Sequence, residues 1–243
     1  PDNAHYLFIL AHAHHTSGDK IAAFELYKKA VEIDPTLSGA YYNMALISTS
    51  WDDYIKAEKF YLLALDVEPT YEAAMSNLAL LYQKLGDLNQ ALDLFEKVLS
   101  LNENNFTAMY NMTGTLTEMR KYEEAKKVLY SMLENPEVSD KSGVHNSLGN
   151  IFNHVGDRSN AISHFEAALS EDPDSNEVTY NLVYNLANTC DWKKLDSFKD
   201  IISRLGLVDG IFSPFGFWQF EDLPKAHLER AKNYTKRKYT FKN

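Results

Sequence analysis

A repeat of 34 residues runs along most of this 243-residue chain and constrains its fold more than any other feature. The pattern Ala-x3-[Phe/Tyr/Leu]-x2-[Ala/Val/Met] occurs five times, at Ala23-Tyr27-Ala30, Ala57-Tyr61-Ala64, Ala91-Phe95-Val98, Ala125-Leu129-Met132 and Ala161-Phe165-Ala168. The first four copies are 34 residues apart, and the fifth follows after 36. A fixed period of this length is typical of proteins built by stacking one structural unit.

Each repeat is predicted to hold two helices. Apolar residues recur at i, i+3, i+4 and i+7 within each half, which favours two amphipathic helices per unit. The dipeptide Gly-Asp stands between the halves in three copies, at Gly18-Asp19, Gly86-Asp87 and Gly156-Asp157. Glycine accepts the left-handed conformation that ends a helix, and aspartate caps the next one. The small alanine lets the paired helices approach closely.

These residues at constant spacing resemble the tetratricopeptide repeat family. The repeats fall at 4–37, 38–71, 72–105, 106–139 and 142–175, with a divergent sixth beginning at Asn176. The resemblance implies an all-α fold, a right-handed α-solenoid of about six helix pairs whose first helices line a concave groove. We expect this superhelix to occupy residues 1–205, and a capping loop with a C-terminal helix to occupy 206–243. Arg120-Lys121 and Cys190-Asp191 replace Gly-Asp in the fourth and sixth repeats.

Asparagine recurs at the sixth position of successive repeats. That position holds Ile9, Asn43, Asn77, Asn111, Ser147 and Asn181, far more asparagine than 19 in the whole chain would place there by chance. An amide offers an acceptor and two donors, so it can pair with the backbone of an extended peptide. Tyr42, Tyr110 and Tyr180 flank the row and add an amphipathic lining. The alternative is that asparagine, which is common at this position in the family, is only a tolerated polar residue.

Composition excludes several classes of function. A net charge of −10 argues against nucleic acid, which needs a dense basic surface. No apolar stretch is long enough to span a membrane, and the single cysteine, Cys190, indicates a reducing, intracellular location, cytoplasmic or nuclear. No catalytic or cofactor motif is present. His12 and His15 stand at i and i+3, as two metal ligands could, but no Cys or carboxylate pattern accompanies them.

The C-terminal part carries a second resemblance. Three motifs occur in order, Cys190-Asp191-Trp192, Ser213-Pro214-Phe215 and Asp222-x-Pro224-x3-Leu228-x2-Ala231-x2-Tyr234. They resemble the junction between the repeats and the catalytic domain in O-linked N-acetylglucosaminyltransferases of the SPINDLY type. The resemblance implies that this chain is the substrate-recognition arm of a nucleotide-sugar-dependent protein glycosyltransferase. The start, Pro1-Asp2-Asn3, resembles neither an initiator Met nor a signal peptide, so we expect a piece of a longer protein.

The expected partners are therefore proteins or extended peptides held in the groove. The chain itself is expected to have no catalytic activity, because none of the transferase family's catalytic residues has a matching position here. A free-standing adaptor or assembly scaffold with no attached enzyme is the alternative function. Homo-oligomerisation stays open.

The apolar segment that follows the repeats is predicted to stabilise them. Ile211, Phe212, Phe215, Phe217 and Trp218 form an aromatic-rich run, and each large side chain stabilises by roughly 1.5–3 kcal/mol on full burial. A chain truncated after Leu205 is therefore expected to melt at a lower temperature than the full chain. Thermal melts with sizing chromatography check this. An unchanged melting temperature in a monomeric truncated chain would contradict the capping role.

Overall fold

The computed structural model describes residues 3–198 and, beyond them, Glu229, Ala231, Lys232 and Thr235. In residues 3–198 the regular elements are all helices: α1 (Ala4–Thr16), α2 (Lys20–Ile33), α3 (Ser38–Ser50), α4 (Tyr54–Val67), α5 (Glu72–Leu85), α6 (Leu88–Leu101), α7 (Phe106–Glu118), α8 (Tyr122–Glu134), α9 (Lys141–His154), α10 (Arg158–Glu171), α11 (Asn176–Asn188) and α12 (Trp192–Asp196). Each predicted repeat holds two of these helices. The predicted division of every repeat into two helices is thus confirmed.

The chain forms two compact units, Pro1–Val128 and Leu129–Asn243, which we call unit 1 and unit 2. In unit 1 the first helices α1, α3 and α5 pack on their second helices α2, α4 and α6, which pack in turn on α3, α5 and α7. In unit 2 α10 packs between α9 and α11, and α11 contacts α12. Stacked helix pairs of this kind make each unit a segment of α-solenoid, which confirms the predicted fold class.

The junction between the two helices of a repeat has the same backbone whether or not glycine is present. Gly18, Gly86 and Gly156 have φ between 82° and 91°, as the Gly-Asp pattern predicts. The equivalent residues of the other repeats also have positive φ: Asp52, Arg120 and Cys190, at 57° to 60°. A left-handed conformation costs a non-glycine residue roughly 1–2 kcal/mol. The packing of each helix pair therefore imposes this turn even where the residue type disfavours it.

The aspartate after this turn caps the second helix. The side chains of five aspartates each accept a hydrogen bond from a backbone N–H three residues on: Asp19, Asp53, Asp87, Asp157 and Asp191. Such a cap satisfies one of the free N–H groups at a helix start and stabilises it by about 1 kcal/mol. The fourth repeat has Lys121 at this position and lacks an aspartate cap.

The repeated Ala-x3-aromatic pattern forms the core of each helix pair. Its alanines are fully buried, and so are the large residues four positions on, Tyr27, Tyr61, Phe95, Leu129 and Phe165. Phe165 lies directly against Gly149 of α9, where a β-carbon would come within 2.5 Å of the Phe165 ring. The helices of the fifth repeat thus approach at a point where only glycine fits.

The predicted capping segment, 206–243, lies outside the described residues except for four positions. Glu229, Ala231, Lys232 and Thr235 have helical backbone, and the Thr235 hydroxyl donates to the Ala231 carbonyl at 2.7 Å. The boundary at residue 205 and the capping role stay predictions. Among the described residues, no helix combines the length and the apolar character that crossing a membrane would require.

The close approach at Gly149 can be tested against a second helical glycine. A β-carbon at Gly114 of α7 would meet nothing nearer than the Gln83 side chain at 3.5 Å. Gly149→Ala is therefore expected to destabilise by about 1–3 kcal/mol through overpacking. Gly114→Ala is expected to stabilise by about 0.5–1 kcal/mol through helix propensity. Urea unfolding of both variants measures the two effects. Equal changes of the same sign would show that helix propensity, and not the contact with Phe165, decides the outcome.

Candidate functional site

Three asparagines at the same register lie on the first helices of unit 1. Asn43 is on α3, Asn77 on α5 and Asn111 on α7, and each side chain is half-buried. Because the three helices begin at equivalent positions of successive repeats, the three amides follow one another along one side of the stack. We call this surface the first-helix face of unit 1, and it also includes Tyr42 and Tyr110 from the sequence prediction.

Asn77 is held by two hydrogen bonds. Its Nδ2 donates to the Ala73 carbonyl at 2.9 Å in its own helix and to the Tyr42 hydroxyl of α3 at 3.2 Å. The Tyr42 ring is itself fixed, with the Tyr71 ring 5.1 Å away and the buried Tyr61 ring 6.2 Å away. Burial raises the pKa of Tyr42, and the bond from Asn77 opposes that shift. Both amide hydrogens of Asn77 are therefore used within the protein, and its Oδ1 is left to accept.

Asn43 is held differently. Its Nδ2 donates to the Gly39 carbonyl at 2.8 Å, within its own helix. Burial lowers the pKa of His15 on α1, and the nearby His12 and Lys20 lower it further, while the side chain of Asn43 acts in the opposite direction. His15 is therefore predominantly neutral near pH 7.

The last amide of the face, on α7, has no such support. The Asn111 side chain has no hydrogen-bond partner among the described residues. Tyr110 beside it is 41% exposed. Between α5 and α7 there is instead a side-chain hydrogen bond, which Gln83 Nε2 donates to Glu118 Oε1 at 2.7 Å. Hydrogen bonds thus hold the asparagine side chains on α3 and α5, whereas among the described residues none holds the Asn111 side chain on α7.

Two charged residues on the first helices of unit 1 are engaged by other side chains. Lys84 of α5 lies 3.7 Å from Asp52 and over the Tyr54 ring, 4.6 Å from its centroid. Glu118 accepts the bond from Gln83. The five residues of the face that the sequence predicts are themselves amides and phenols. In the part of the chain that the structure describes, no three His, Cys, Asp or Glu side chains converge to hold a metal ion.

Unit 2 carries Asn181 and Tyr180 on α11. Asn181 Nδ2 donates to Asn146 Oδ1 and to Asn150 Oδ1 of α9, both at 3.3 Å. The Tyr180 ring stacks on the Tyr184 ring with centroids 6.4 Å apart. Here the predicted amide links two neighbouring first helices, so it has a structural role whether or not a ligand binds.

The network in unit 2 extends in both directions from Asn181. Asn146 donates to Glu177 at 3.2 Å, and the fully buried Asn185 donates to the Asn181 carbonyl at 2.9 Å. Of the seven residues that the sequence predicts, the structure brings Asn43, Asn77, Asn111, Tyr42 and Tyr110 onto one face of unit 1, and Asn181 and Tyr180 onto unit 2. The links to Gln83, Glu118 and Glu177 were not predicted, because they join residues 31 to 35 positions apart whose types do not stand out.

Comparison with known families gives one consistent match. Four profiles, each described as a tetratricopeptide repeat, match residues 4–37, 26–59, 73–105 and 144–177. Together they cover about half of the chain. No curated protein matches the sequence.

Several solved structures share the fold. A tetratricopeptide repeat protein from Parabacteroides merdae is 16% identical with a TM-score of 0.72, over 95% of this chain and 98% of its own. YrrB, described as having an unusual peptide-binding site, is 20% identical with a TM-score of 0.64. The match covers 74% of this chain and 91% of YrrB. MamA from Desulfovibrio magneticus is 19% identical with a TM-score of 0.62, over 71% and 95%. At these identities the likeness concerns the fold alone.

The different supports of the amides lead to different expectations for stability. Asn181→Ala removes two hydrogen bonds, each contributing about 0.5–1.5 kcal/mol, and is expected to lower the free energy of unfolding. Asn111→Ala removes none among the described residues and is expected to raise it by a few tenths of a kcal/mol, because alanine is the better helix former. Urea unfolding of both variants is the measurement. A loss for Asn111→Ala as large as that for Asn181→Ala would contradict this description of the two sites.

Proposed function

Because the chain belongs to the tetratricopeptide repeat family, we propose that it is a peptide-binding scaffold that holds an extended ligand through the ligand's backbone. The proposed site is the first-helix face of unit 1, with Asn43, Asn77 and Asn111 as the principal contacts and Tyr42 and Tyr110 beside them. Asn181 and Tyr180 are the corresponding contacts in unit 2. The single observation that carries the proposal is the row of half-buried amides at one register of successive first helices.

The spacing of the row suits an extended chain. Neighbouring packed helices lie about 8–10 Å apart, and a β-extended peptide advances about 3.3 Å per residue. One amide per repeat would therefore meet roughly every third residue of the ligand. Asn77 Oδ1 would accept from a peptide N–H, whereas Asn43 and Asn111 have both acceptor and donor capacity to offer a peptide unit.

The neutral chemistry of the face supports recognition of backbone over charge. Amides and phenols form hydrogen bonds with peptide groups of any sequence, while Lys84 is paired with Asp52 and Glu118 accepts from Gln83. A ligand selected by its charged side chains would require basic or acidic residues along the middle of the face. YrrB, which shares the fold, supplies a precedent for a peptide-binding site in a protein of this kind.

We further propose, on the sequence motifs alone, that the scaffold is the substrate arm of an O-linked glycosyltransferase-like protein. The ordered motifs from Cys190 to Tyr234 support this assignment, and most of them lie outside the described residues. A reducing, intracellular location accords with the single exposed Cys190. The alternative is a free-standing adaptor. The natural gene distinguishes the two: a coding region for a nucleotide-sugar transferase domain after residue 243 supports the first, and a stop codon there supports the second.

Binding through the backbone can be tested by removing the amides. The probe is a fluorescein-labelled 16-residue peptide of Ala, Ser, Thr and Val with blocked termini. The triple variant Asn43→Ala, Asn77→Ala and Asn111→Ala is expected to bind it roughly 10- to 1000-fold more weakly, since each lost bond contributes about 0.5–1.5 kcal/mol. The matched control is Asn89→Ala on an exposed position of α6.

The ligand offers the second half of this test. A scrambled peptide of the same composition should bind as well as the original, whereas the same peptide with N-methylated backbone nitrogens should bind much more weakly. Thermal melts of every variant confirm that the fold is intact. Equal affinity of the wild type and the triple variant would refute the proposed site, and equal affinity for the N-methylated peptide would refute recognition of the backbone.

A further inference from the structure

Two histidines face each other inside the fifth repeat. The Nδ1 atoms of His145 on α9 and His164 on α10 are 3.0 Å apart, and both side chains are half-buried. The Phe152 ring lies parallel to the His164 ring, with centroids 5.3 Å apart. The other ring nitrogen of His164, Nε2, is 3.4 Å from the Tyr130 hydroxyl. The pair thus forms a direct polar contact between α9 and α10, in addition to the hydrogen bond from the Ser142 hydroxyl of α9 to the Ala168 carbonyl of α10 at 3.0 Å.

Alignment of the repeats shows that this contact replaces an apolar or aromatic one. The equivalent pairs of the first four repeats are Leu7 with Leu26, Tyr41 with Phe60, Met75 with Leu94, and Met109 with Val128. None of these pairs contains a group that titrates near neutral pH. Of these five repeats, only the fifth therefore has groups that titrate near neutral pH at these two positions.

The geometry allows one N–H between the rings and excludes two. When both imidazoles are neutral, the Nδ1–H of one donates to the bare Nδ1 of the other. One added proton on a distal Nε2 leaves that bond intact. A second added proton leaves both Nδ1 atoms with hydrogens, so two N–H groups and two positive charges would face each other at 3.0 Å. The rings must then separate.

Neighbouring groups affect how readily the two histidines take up protons, but they do not cancel the positive charge of the doubly protonated pair. Burial lowers the pKa of His145. The negative charge of Glu171 on α10 raises this pKa, and the positive charge of Lys141 on α9 lowers it. Burial and then the proximity of His145 lower the pKa of His164. Tyr130 offers a hydroxyl and no charge. Glu171 is thus the one anion acting on the pair among the described residues.

We propose that His145 and His164 form an acid-sensitive joint that holds α9 and α10 together when neutral and separates them when both rings are protonated. The pKa of each histidine is lowered on folding from its ordinary value near 6.5. The stabilisation is therefore complete above pH 6.5 and is lost as the pH falls through the folded values. The acid sensitivity of this contact does not require a bound peptide.

The joint has a structural consequence for the contact between α9 and α11. Asn146, the next residue after His145, accepts the bond from Asn181 of α11, and Asn150 one turn further accepts the second. Displacement of α9 would break these two bonds. Acid would therefore loosen the amide network of unit 2 together with the α9–α10 contact.

The test compares the full-length wild-type chain with the double variant His145→Met and His164→Leu, which installs the pair found in the third repeat. Urea unfolding is measured at pH 7.5 and pH 5.0. Each proton that the unfolded chain binds in excess raises the unfolding equilibrium constant up to about tenfold per pH unit. The wild-type constant is expected to rise at least tenfold more on acidification than that of the double variant. His154→Gln, an exposed position on α9, is the control and should behave as the wild type.

A second measurement on the wild type does not depend on the variant folding. Long-range ¹H–¹⁵N NMR spectra of the histidine rings follow both titrations, and amide hydrogen exchange follows α9 and α10. The expected result is that both rings titrate below pH 6.5 and that exchange in these two helices accelerates over the same range. Titration of either ring at or above pH 6.5, or identical acid sensitivity of the wild type and the double variant, would overturn the proposal.

Discussion

The contact between a small residue and a large buried one within each helix pair is the interaction on which the described structure depends. Ala23, Ala57, Ala91, Ala125 and Ala161 are fully buried, and the residue four positions after each is buried as well. The small side chain sets how closely the helices approach, and the large one fills the space that remains. In the fifth repeat a small residue of the first helix, Gly149, also lies directly against the large Phe165 of the second. The turn between the two helices follows from this packing, since Asp52, Arg120 and Cys190 adopt a left-handed backbone without being glycine.

Because these contacts bury the apolar side of every pair, the first helices keep another side for polar groups. In unit 1 that side carries Asn43, Asn77 and Asn111 among neutral neighbours. The amides differ in how much they contribute to their own fold: Asn77 is bonded to Tyr42, whereas Asn111 is unsupported among the described residues. In unit 2 Asn181 joins α9 to α11. One residue type at one register therefore serves both packing and the proposed recognition of peptides.

Structural features that depend on residues close together in the sequence could be predicted, whereas contacts between residues far apart in the sequence could not. The helix pairs and the aspartate caps are set by residues within a few positions of one another, so the repeat pattern suffices to place them. Nothing in the residue types of Arg120 or Cys190 predicts a positive φ, because the packing of the pair imposes it. The amides were found because they recur, but their bonding was not, since Asn77 and Asn181 find partners 31 to 35 residues away. His145 and His164 do not recur, although aligning the repeats would have shown two titratable residues at apolar positions.

The most direct test of the central claim, that the amides of unit 1 bind a peptide backbone, is to observe their side-chain resonances as ligand is added. The side-chain NH2 signals of Asn43, Asn77 and Asn111 are assigned in the ¹⁵N-labelled chain and followed during titration with the Ala, Ser, Thr and Val peptide. The account predicts saturable shifts of all three signals with one common dissociation constant, while the signal of Asn89 on α6 stays unchanged. Saturable binding that shifts Asn89 or other second-helix signals, with those of Asn43, Asn77 and Asn111 unmoved, would contradict it.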